Sequence, residues 1–239
     1  LSETFGQQFV VENRVGANGT IGANLIARAP PDGYALLATT ASTHVTAVHL
    51  KKNLPYDPVR DFTPIIAAVE PVTCLAVNAA LPVNSVPELI AYAKANPGKL
   101  NFAVSGIGGA PQLAGIEFAQ RTGVQWTYIP YKGGADAVTA VVAGQADVLF
   151  NGMLATWPSV TGGKLKPLAI SSAQRVPSAQ STPTVAENGL PGFETGSFQG
   201  IVGPAGIPRE TVAKLNAERT KALNTAEMKE RFGKQGTEV

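Results

Sequence analysis

Apolar and polar positions along this chain fall in short blocks, and the period of the blocks switches repeatedly between that of a strand and that of a helix. The sharpest switch is in Leu100–Phe118, LNFAVSGIGGAPQLAGIEF. Leu100–Val104 is an apolar, partly β-branched run of strand length. Ser105-Gly106-Ile107-Gly108-Gly109 then supplies backbone freedom, and Pro111 sits where a helix can begin, because a first helical turn has no use for that N–H. Leu113, Ile116 and Phe118 continue as one apolar helical face. Strand, glycine turn and helix together gather main-chain N–H groups and a helix dipole at one point, an arrangement that suits phosphate or carboxylate. An ordinary tight βα connection accounts for the same residues.

The remaining blocks extend the pattern. Leu1–Gln8 reads as the end of a helix, Phe9–Glu12 as a strand and Asn13–Gly22 (NRVGANGTIG) as a glycine-rich turn. Ile21–Ala29 is a predicted helix stopped by Pro30-Pro31. Tyr34–Ala38 is a predicted strand, Thr39–Thr43 a loop of small hydroxyl residues, and Val45–Leu50 a weak helix. Ile65–Val69 and Cys74–Val77 are strands, and Pro87–Ala95 is a helix in which Ser85 and Glu88 have capping-box spacing. After the central stretch come the strand Trp126–Ile129, the turn Pro130–Gly134 (PYKGG), the helix Ala135–Ala143 and the strand Asp147–Phe150. Thr156–Thr161 reads as a short helix and Leu168–Ser171 as a strand. Pro177–Thr195 is mostly turn, with one helical turn at Pro183–Asn188. Phe198–Val202 is a strand, and Pro208–Asn224 and Glu227–Phe232 are helices. Strands alternating with helices argue for an α/β protein with parallel sheets.

Composition narrows the classes. The 239 residues suffice for one large domain or two of roughly 100–130. With 44% hydrophobic and 15% charged residues the chain is globular. A net charge of +2 without any Lys/Arg cluster gives no nucleic-acid signature. The longest nearly apolar run, Ile65–Ala80, is interrupted by Glu70, Pro71 and Asn78, so no segment reads as a membrane span. Cys74, alone in an apolar run, reads as a core residue and leaves the redox compartment undecided.

Two histidines, His44 and His49, and one cysteine cannot build a recognisable zinc site. Ser105 follows a strand as a nucleophile would, but no G-x-S-x-G surrounds it. Gly106-Ile107-Gly108-Gly109 is half of a dinucleotide fingerprint. Its third glycine would fall at Pro111, and the strand Trp126–Ile129 ends in Pro130-Tyr131 rather than an acidic residue. An α/β hydrolase or dinucleotide enzyme using the Ser105–Gly109 turn stays open as the alternative. The turns at Asn13–Gly22, Thr39–Thr43, Ser105–Gly109 and Pro130–Gly134 offer many neutral donors at strand ends, which suits a small carboxylate.

The words VVENRVGANGTIGA, PPDGYALL, LPYDPVRDFTP, NPGKLNFAVSG, PYKGGADAV, GQADVLFNG, GKLKPLAIS and PTVAENGLPGFE occur in this order. Together they resemble the solute receptors of tripartite tricarboxylate transporters, the Bug-type extracytoplasmic binding proteins, from Phe9 onward. The resemblance implies a two-lobed, type II periplasmic-binding-protein-like α/β fold, export to the periplasm and capture of a small organic acid without a cofactor. It also implies a membrane permease or a sensor as partner, with neither nucleic-acid binding nor direct membrane insertion.

Carried over by position, the resemblance places Thr40, Ser42 and Thr43 in the ligand loop of the first lobe. It places Ser105, Gly108, Gly109, Ala110 and Gln112 in the second-lobe turn, with Tyr131, Lys132, Gly133 and Asn151 beside it. Family members commonly carry serine at the position of Gly109, histidine at that of Gln112 and aspartate at that of Asn151, departures that leave open a ligand other than the usual diacids. Main-chain N–H at Gly108–Ala110 would then anchor the anion independently of pH, with Lys132 either adding charge or remaining a solvated surface lysine. The expected lobes are 1–78 with 197–239, and 79–196. The family's first strand and first glycine loop would precede Leu1. The expectation is that those residues exist in the natural molecule or that a partner chain covers the sheet edge.

Overall fold

A computed structural model describes residues 2–14, 16–233 and 237–238. Leu1 of the expected first helix, Val15 of the glycine-rich turn, 234–236 and Val239 lie outside the described residues. The chain clusters into two compact units: Leu1–Glu70 with Ser197–Phe232 and Glu238–Val239, and Pro71–Gly196 with Gly233–Thr237.

In chain order the first part of the chain holds α1 (Ser2–Phe5), α2 (Thr20–Ala27), β1 (Leu37–Thr40), α3 (Ala47–Leu50) and β2 (Phe62–Pro71). Then come β3 (Thr73–Asn78), α4 (Val86–Ala95), β4 (Leu100–Val104), α5 (Ala110–Thr122), β5 (Trp126–Pro130), α6 (Gly134–Val142), β6 (Val148–Gly152), α7 (Met153–Thr161) and β7 (Leu165–Ile170). The chain closes with β8 (Gln199–Pro204), α8 (Arg209–Leu223), α9 (Ala226–Gly233) and β9 (Thr237–Glu238).

The first unit carries a sheet of order β1-β8-β2-β9, in which β1 and β2 both run antiparallel to β8. The expectation of parallel sheets fails here, because β8 enters against the direction of both its neighbours. A bulge in β2 skips Ile65 in the pairing, and the Asn216 amide of α8 donates to the freed Ile65 carbonyl at 2.7 Å. A small apolar cluster of Ala23, Tyr56, Phe62 and Val202 lies beneath. Phe9–Glu12 is not a strand: it has no regular structure, and Val10 and Val11 are both exposed. The predicted strand Tyr34–Ala38 instead begins at Leu37, where pairing with β8 starts, and Tyr34 is solvent-exposed.

The second unit is a three-layer sandwich around the sheet β5-β4-β6-β3-β7. β4 runs parallel to β5 and β6, whereas β3 is antiparallel to β6 and β7. That pairing moves the boundary expected at residue 78: β3 is a central strand of the second sheet, not the end of the first lobe. Alternation along β4 divides the core, since successive side chains point to opposite faces. Phe102 and Val104 join Leu89 of α4 and Phe118 of α5 on one face, while Ala103 joins Val138 of α6 and Met153 of α7 on the other. Gly115 lets α5 lie close to the sheet, for a Cβ there would stand 2.6 Å from the Phe102 ring. The lone Cys74 is fully buried in this core, and burial pushes its thiol up to about 12.

The capping pair of α4 engages with one arm shifted: Ser85 Oγ accepts from Glu88 N–H at 3.3 Å, and the Glu88 carboxylate accepts from the N–H of Asn84, one residue before the cap, at 2.7 Å. In the turn-rich stretch before β8, one-turn 3-10 helices form at Pro177–Ala179 and Ala186–Asn188. α7 starts at Met153, three residues before the expectation, because it follows β6 without a loop.

Candidate functional site

In the second unit the parallel register of β4 with β5 and β6 puts Val104, Pro130 and Gly152 at one edge of the sheet. Three helices begin there, α5, α6 and α7, with Gly109, Gly133 and Gly152 as N-caps and no side-chain cap on any. The chain leaves β4 for α5 on one face of the sheet, and leaves β6 for α7 on the other. The crevice outside the ends of adjacent β4 and β6 is therefore a topological switch point, the place where open α/β sheets gather ligands.

The donors at this edge are fewer than the glycine content suggests. The Gly108 N–H donates to Gln112 Oε1 at 2.6 Å, and the Gly109 N–H to the Gly106 carbonyl at 3.2 Å. Gly108 takes a positive φ of 77° to make this turn. Two of the three main-chain anchors expected at Gly108–Ala110 are thus consumed within the turn, and Ala110 N–H alone of the three has no partner among the described residues. The Ser105 hydroxyl likewise has none, and the leading N–H groups of α6 lie open as helix geometry requires. Gln112 sits at the third helical position and reaches back as Glu88 does in α4, so its carboxamide closes the turn rather than extending from it.

Asn151 is also occupied. Its amide nitrogen donates to the Gly134 carbonyl at 3.3 Å and to Thr156 Oγ1 at 3.2 Å. The Thr156 proton goes to the Gly152 carbonyl at 3.0 Å, which fixes Thr156 as acceptor and Asn151 as donor. Asn151 is buried, and a Cβ on Gly134 would stand 3.0 Å from its Oδ1, so it clamps the start of α6 to the end of β6. Tyr131 ties β5 to β4 through its N–H and the Val104 carbonyl at 2.8 Å, and its ring packs on the α6–α7 face. Lys132 is exposed and makes no ion pair among the described residues; Gly133 is extended, a conformation open to any residue.

In the first unit the expected hydroxyl loop is a turn of π-helix, Ser42–Thr46, running straight into α3. Thr43 Oγ1 donates to the Thr40 carbonyl at 2.9 Å, so the 2.7 Å contact between Thr39 and Thr43 has Thr39 as donor. The 2.6 Å contact of His44 Nδ1 with Thr39 Oγ1 then has the imidazole as donor. The network assigns His44 the Nδ1–H tautomer and leaves Nε2 as a buried acceptor with no partner. Phe62 packs edge-on to the imidazole at 4.6 Å between centroids, and burial lowers the pKa of His44. Tyr56 donates to the Thr43 carbonyl at 2.8 Å. Thr43 is thus an internal strut, whereas the Thr40 and Ser42 hydroxyls are half-buried and make no side-chain hydrogen bond among the described residues.

Beside this turn runs the glycine-rich loop, where Gly16, Ala17, Asn18 and Gly19 all have positive φ, at 124°, 48°, 57° and 85°. A Cβ on Gly19 would stand 2.7 Å from the Thr43 methyl. Lys51 Nζ binds Thr20 Oγ1 at 2.8 Å at the start of α2. Reading the sequence missed Thr39, Tyr56, Thr156 and Lys51. Only the T-T-x-x-T-H spacing hints at Thr39, and the others act across the fold. Among the described residues no cluster of three His, Cys, Asp or Glu could hold a metal ion. No helix there is long and apolar enough to cross a membrane.

Comparison with known proteins places this geometry. The family model for the tripartite tricarboxylate transporter family receptor matches residues 1–239. Protein BugT of Bordetella pertussis is 32% identical over 99% of this chain and 73% of its own length. The structure of R. palustris Rpa4515 with adipate is 36% identical with a TM-score of 0.96, over 99% of this chain and 79% of that one. MatC from Rhodopseudomonas palustris with bound malate is 33% identical with a TM-score of 0.92, over 100% of this chain and 81% of that one. By the match of the family model over its whole length, this chain belongs to the tripartite tricarboxylate transporter receptor family.

Proposed function

We propose that this receptor captures a small carboxylate without chemical change, outside the cytoplasm, and presents it to a tripartite-type permease or to a sensor. The observation that carries this reading is the meeting of three glycine-capped helix starts at the switch point between β4 and β6. Their unpaired N–H groups and aligned dipoles favour an anion without a fixed cation. Two similar structures hold adipate and malate. Ser105 and the Ala110 N–H would bind the carboxylate directly in the second unit, with Tyr131, Lys132 and the start of α6 beside them. Gln112, Gly108, Gly109, Gly133 and Asn151 would shape that edge, and Thr40 and Ser42 would serve the first unit, with Thr43 behind them. The two units would be the lobes of the receptor.

Binding is favoured over catalysis because the second unit offers Ser105 no histidine of its own: His44 and His49 both belong to the first unit. The thiol of Cys74 is sealed in the core. A thermal-shift panel of carboxylates tests the proposal. A ligand at about 100 times its Kd adds about 2.7 kcal/mol of stability. A stabilising compound should be recovered unchanged from the mixture; its turnover by the purified protein would replace the receptor reading with the enzyme one.

A further inference from the structure

We infer that the second unit holds a subsite for a 2-hydroxycarboxylate, in which Asn151 Oδ1 accepts the hydroxyl proton while the open start of α6 takes the adjoining carboxylate. This rests on the carboxylate-capture reading above and narrows its substrate class. The pairing of Phe102 with Val148 sets the register of β4 against β6. Three residues further on, that register brings Ser105 level with Asn151. Ala103 and Leu149 face the α6–α7 side of the sheet, so alternation turns residues 105 and 151 to the same side. The Tyr131 N–H, bound to the Val104 carbonyl, holds the turn before α6 against this corner.

Asn151 is 3% exposed, yet one of its atoms is uncommitted. The amide nitrogen is spent on Gly134 and Thr156, which fixes which end of the carboxamide is oxygen. Oδ1 accepts nothing among the described residues. The side-chain atoms there that are both sealed from solvent and unpartnered belong to His44, Trp126, Thr195 and Arg219, so Asn151 Oδ1 keeps an opening to solvent. It lies at the start of α6, where a Cβ on Gly134 would stand 3.0 Å from it. The N–H groups of Gly134, Ala135 and Asp136 have no acceptor among the described residues, and the helix dipole adds to them. Anion site and neutral acceptor thus adjoin, as a carboxylate and the hydroxyl on its α-carbon do. An ammonium in the hydroxyl's place is disfavoured: residues 105–113 and 151–157 contain no acidic side chain, and exposed Lys132 offsets exposed Asp136. A ligand without a donor would cover Oδ1 and leave it unpaired, which costs affinity.

The test is calorimetric titration of the 239-residue chain at neutral pH with succinate, each enantiomer of malate, 2-fluorosuccinate and aspartate. The better malate enantiomer should bind at least about fivefold more tightly than succinate. Fluorine fills the hydroxyl's place without donating, so 2-fluorosuccinate should fall back to the affinity of succinate, and aspartate should bind more weakly than malate. Asn151→Asp puts a negative acceptor there and should shift the aspartate-to-malate ratio toward aspartate; should it not fold, the ligand series on the unsubstituted protein decides. Malate no tighter than succinate, 2-fluorosuccinate or aspartate matching malate, or an unchanged ratio in folded Asn151→Asp would overturn the inference and leave carboxylate capture standing. Binding of none of these acids, while the thermal-shift panel yields another carboxylate, would overturn the inference alone. Failure of the whole panel would overturn the functional reading with it.

Discussion

The two units hold their candidate-site turns by opposite means. The second unit builds on an aromatic core in which Phe118 stacks on Trp126 and meets Phe150 and Phe193 edge-on. Its turns are then finished by main-chain and amide bonds that do not ionise. The first unit has only a small apolar cluster, and its turn is held by a directed chain running from His44 through Thr39 and Thr43 to the Thr40 carbonyl. Packing sets one geometry; proton positions set the other. The first unit should therefore answer to pH and to loss of single hydroxyls, and the second to loss of volume.

The largest test removes volume. Phe118→Ala should cost about 3–5 kcal/mol in denaturant unfolding, since it leaves a cavity beneath α5. Tyr56→Phe in the first unit removes one hydroxyl and should cost only about 1 kcal/mol. Equal losses would erase the contrast. Next in size, Thr39→Val keeps the shape but cuts the chain at its middle, removing the bonds of Thr39 to His44 and Thr43 and leaving the His44 Nδ1–H only the longer 3.2 Å contact with Thr43 Oγ1. It should cost about 1–3 kcal/mol.

Gln112→Glu sharpens the comparison from the other side. A carboxylate at the third position of α5 meets the Gly108 N–H and the helix dipole, and should stabilise the fold by about 0.5–1 kcal/mol. The same charge beside the switch point should weaken carboxylate binding in calorimetry. Affinity in the unsubstituted protein should stay flat between about pH 5.5 and 8 for a fully ionised ligand, while Gln112→His should make it rise on acidification.

The smallest effect is graded. Burial lowers the pKa of His44 below its ordinary 6.5. As pH falls below about 6.5 the unfolded chain takes up a proton that the folded chain refuses, so stability is full above that point and declines until the folded pKa is reached. Melting temperature should accordingly fall between pH 7 and 5, and His44→Phe should flatten that slope. A slope that persists in His44→Phe would place the sensitive group elsewhere.

Much of this was legible in the residues themselves. Leu100–Val104 reads as a strand because its pattern and its glycine boundary agree, and Ser85 with Glu88 announces a cap by spacing alone. Gln112 repeats that spacing behind Gly109, a cue hidden because glycine has no side chain to complete the box. The shift of β3 into the second sheet was not legible, since its apolar run fits either sheet and only the pairing partners β6 and β7 decide. Thr39, Tyr56 and Asn151 owe their roles to partners brought near by folding.

The loop Gly16–Gly19 has a consequence for how relatives of this chain can diverge. With four successive positive torsions it is a patch of mirror-image backbone inside an L-protein, and its natural occupants are achiral or D-configured residues. Ala17 and Asn18 are the two residues that carry a Cβ into it, and asparagine tolerates the conformation better, so a semisynthetic chain with D-alanine at position 17 should melt higher than the natural one. Substitutions at these positions should be borne best by glycine and asparagine, so the handedness of four residues restricts which side chains the loop can carry.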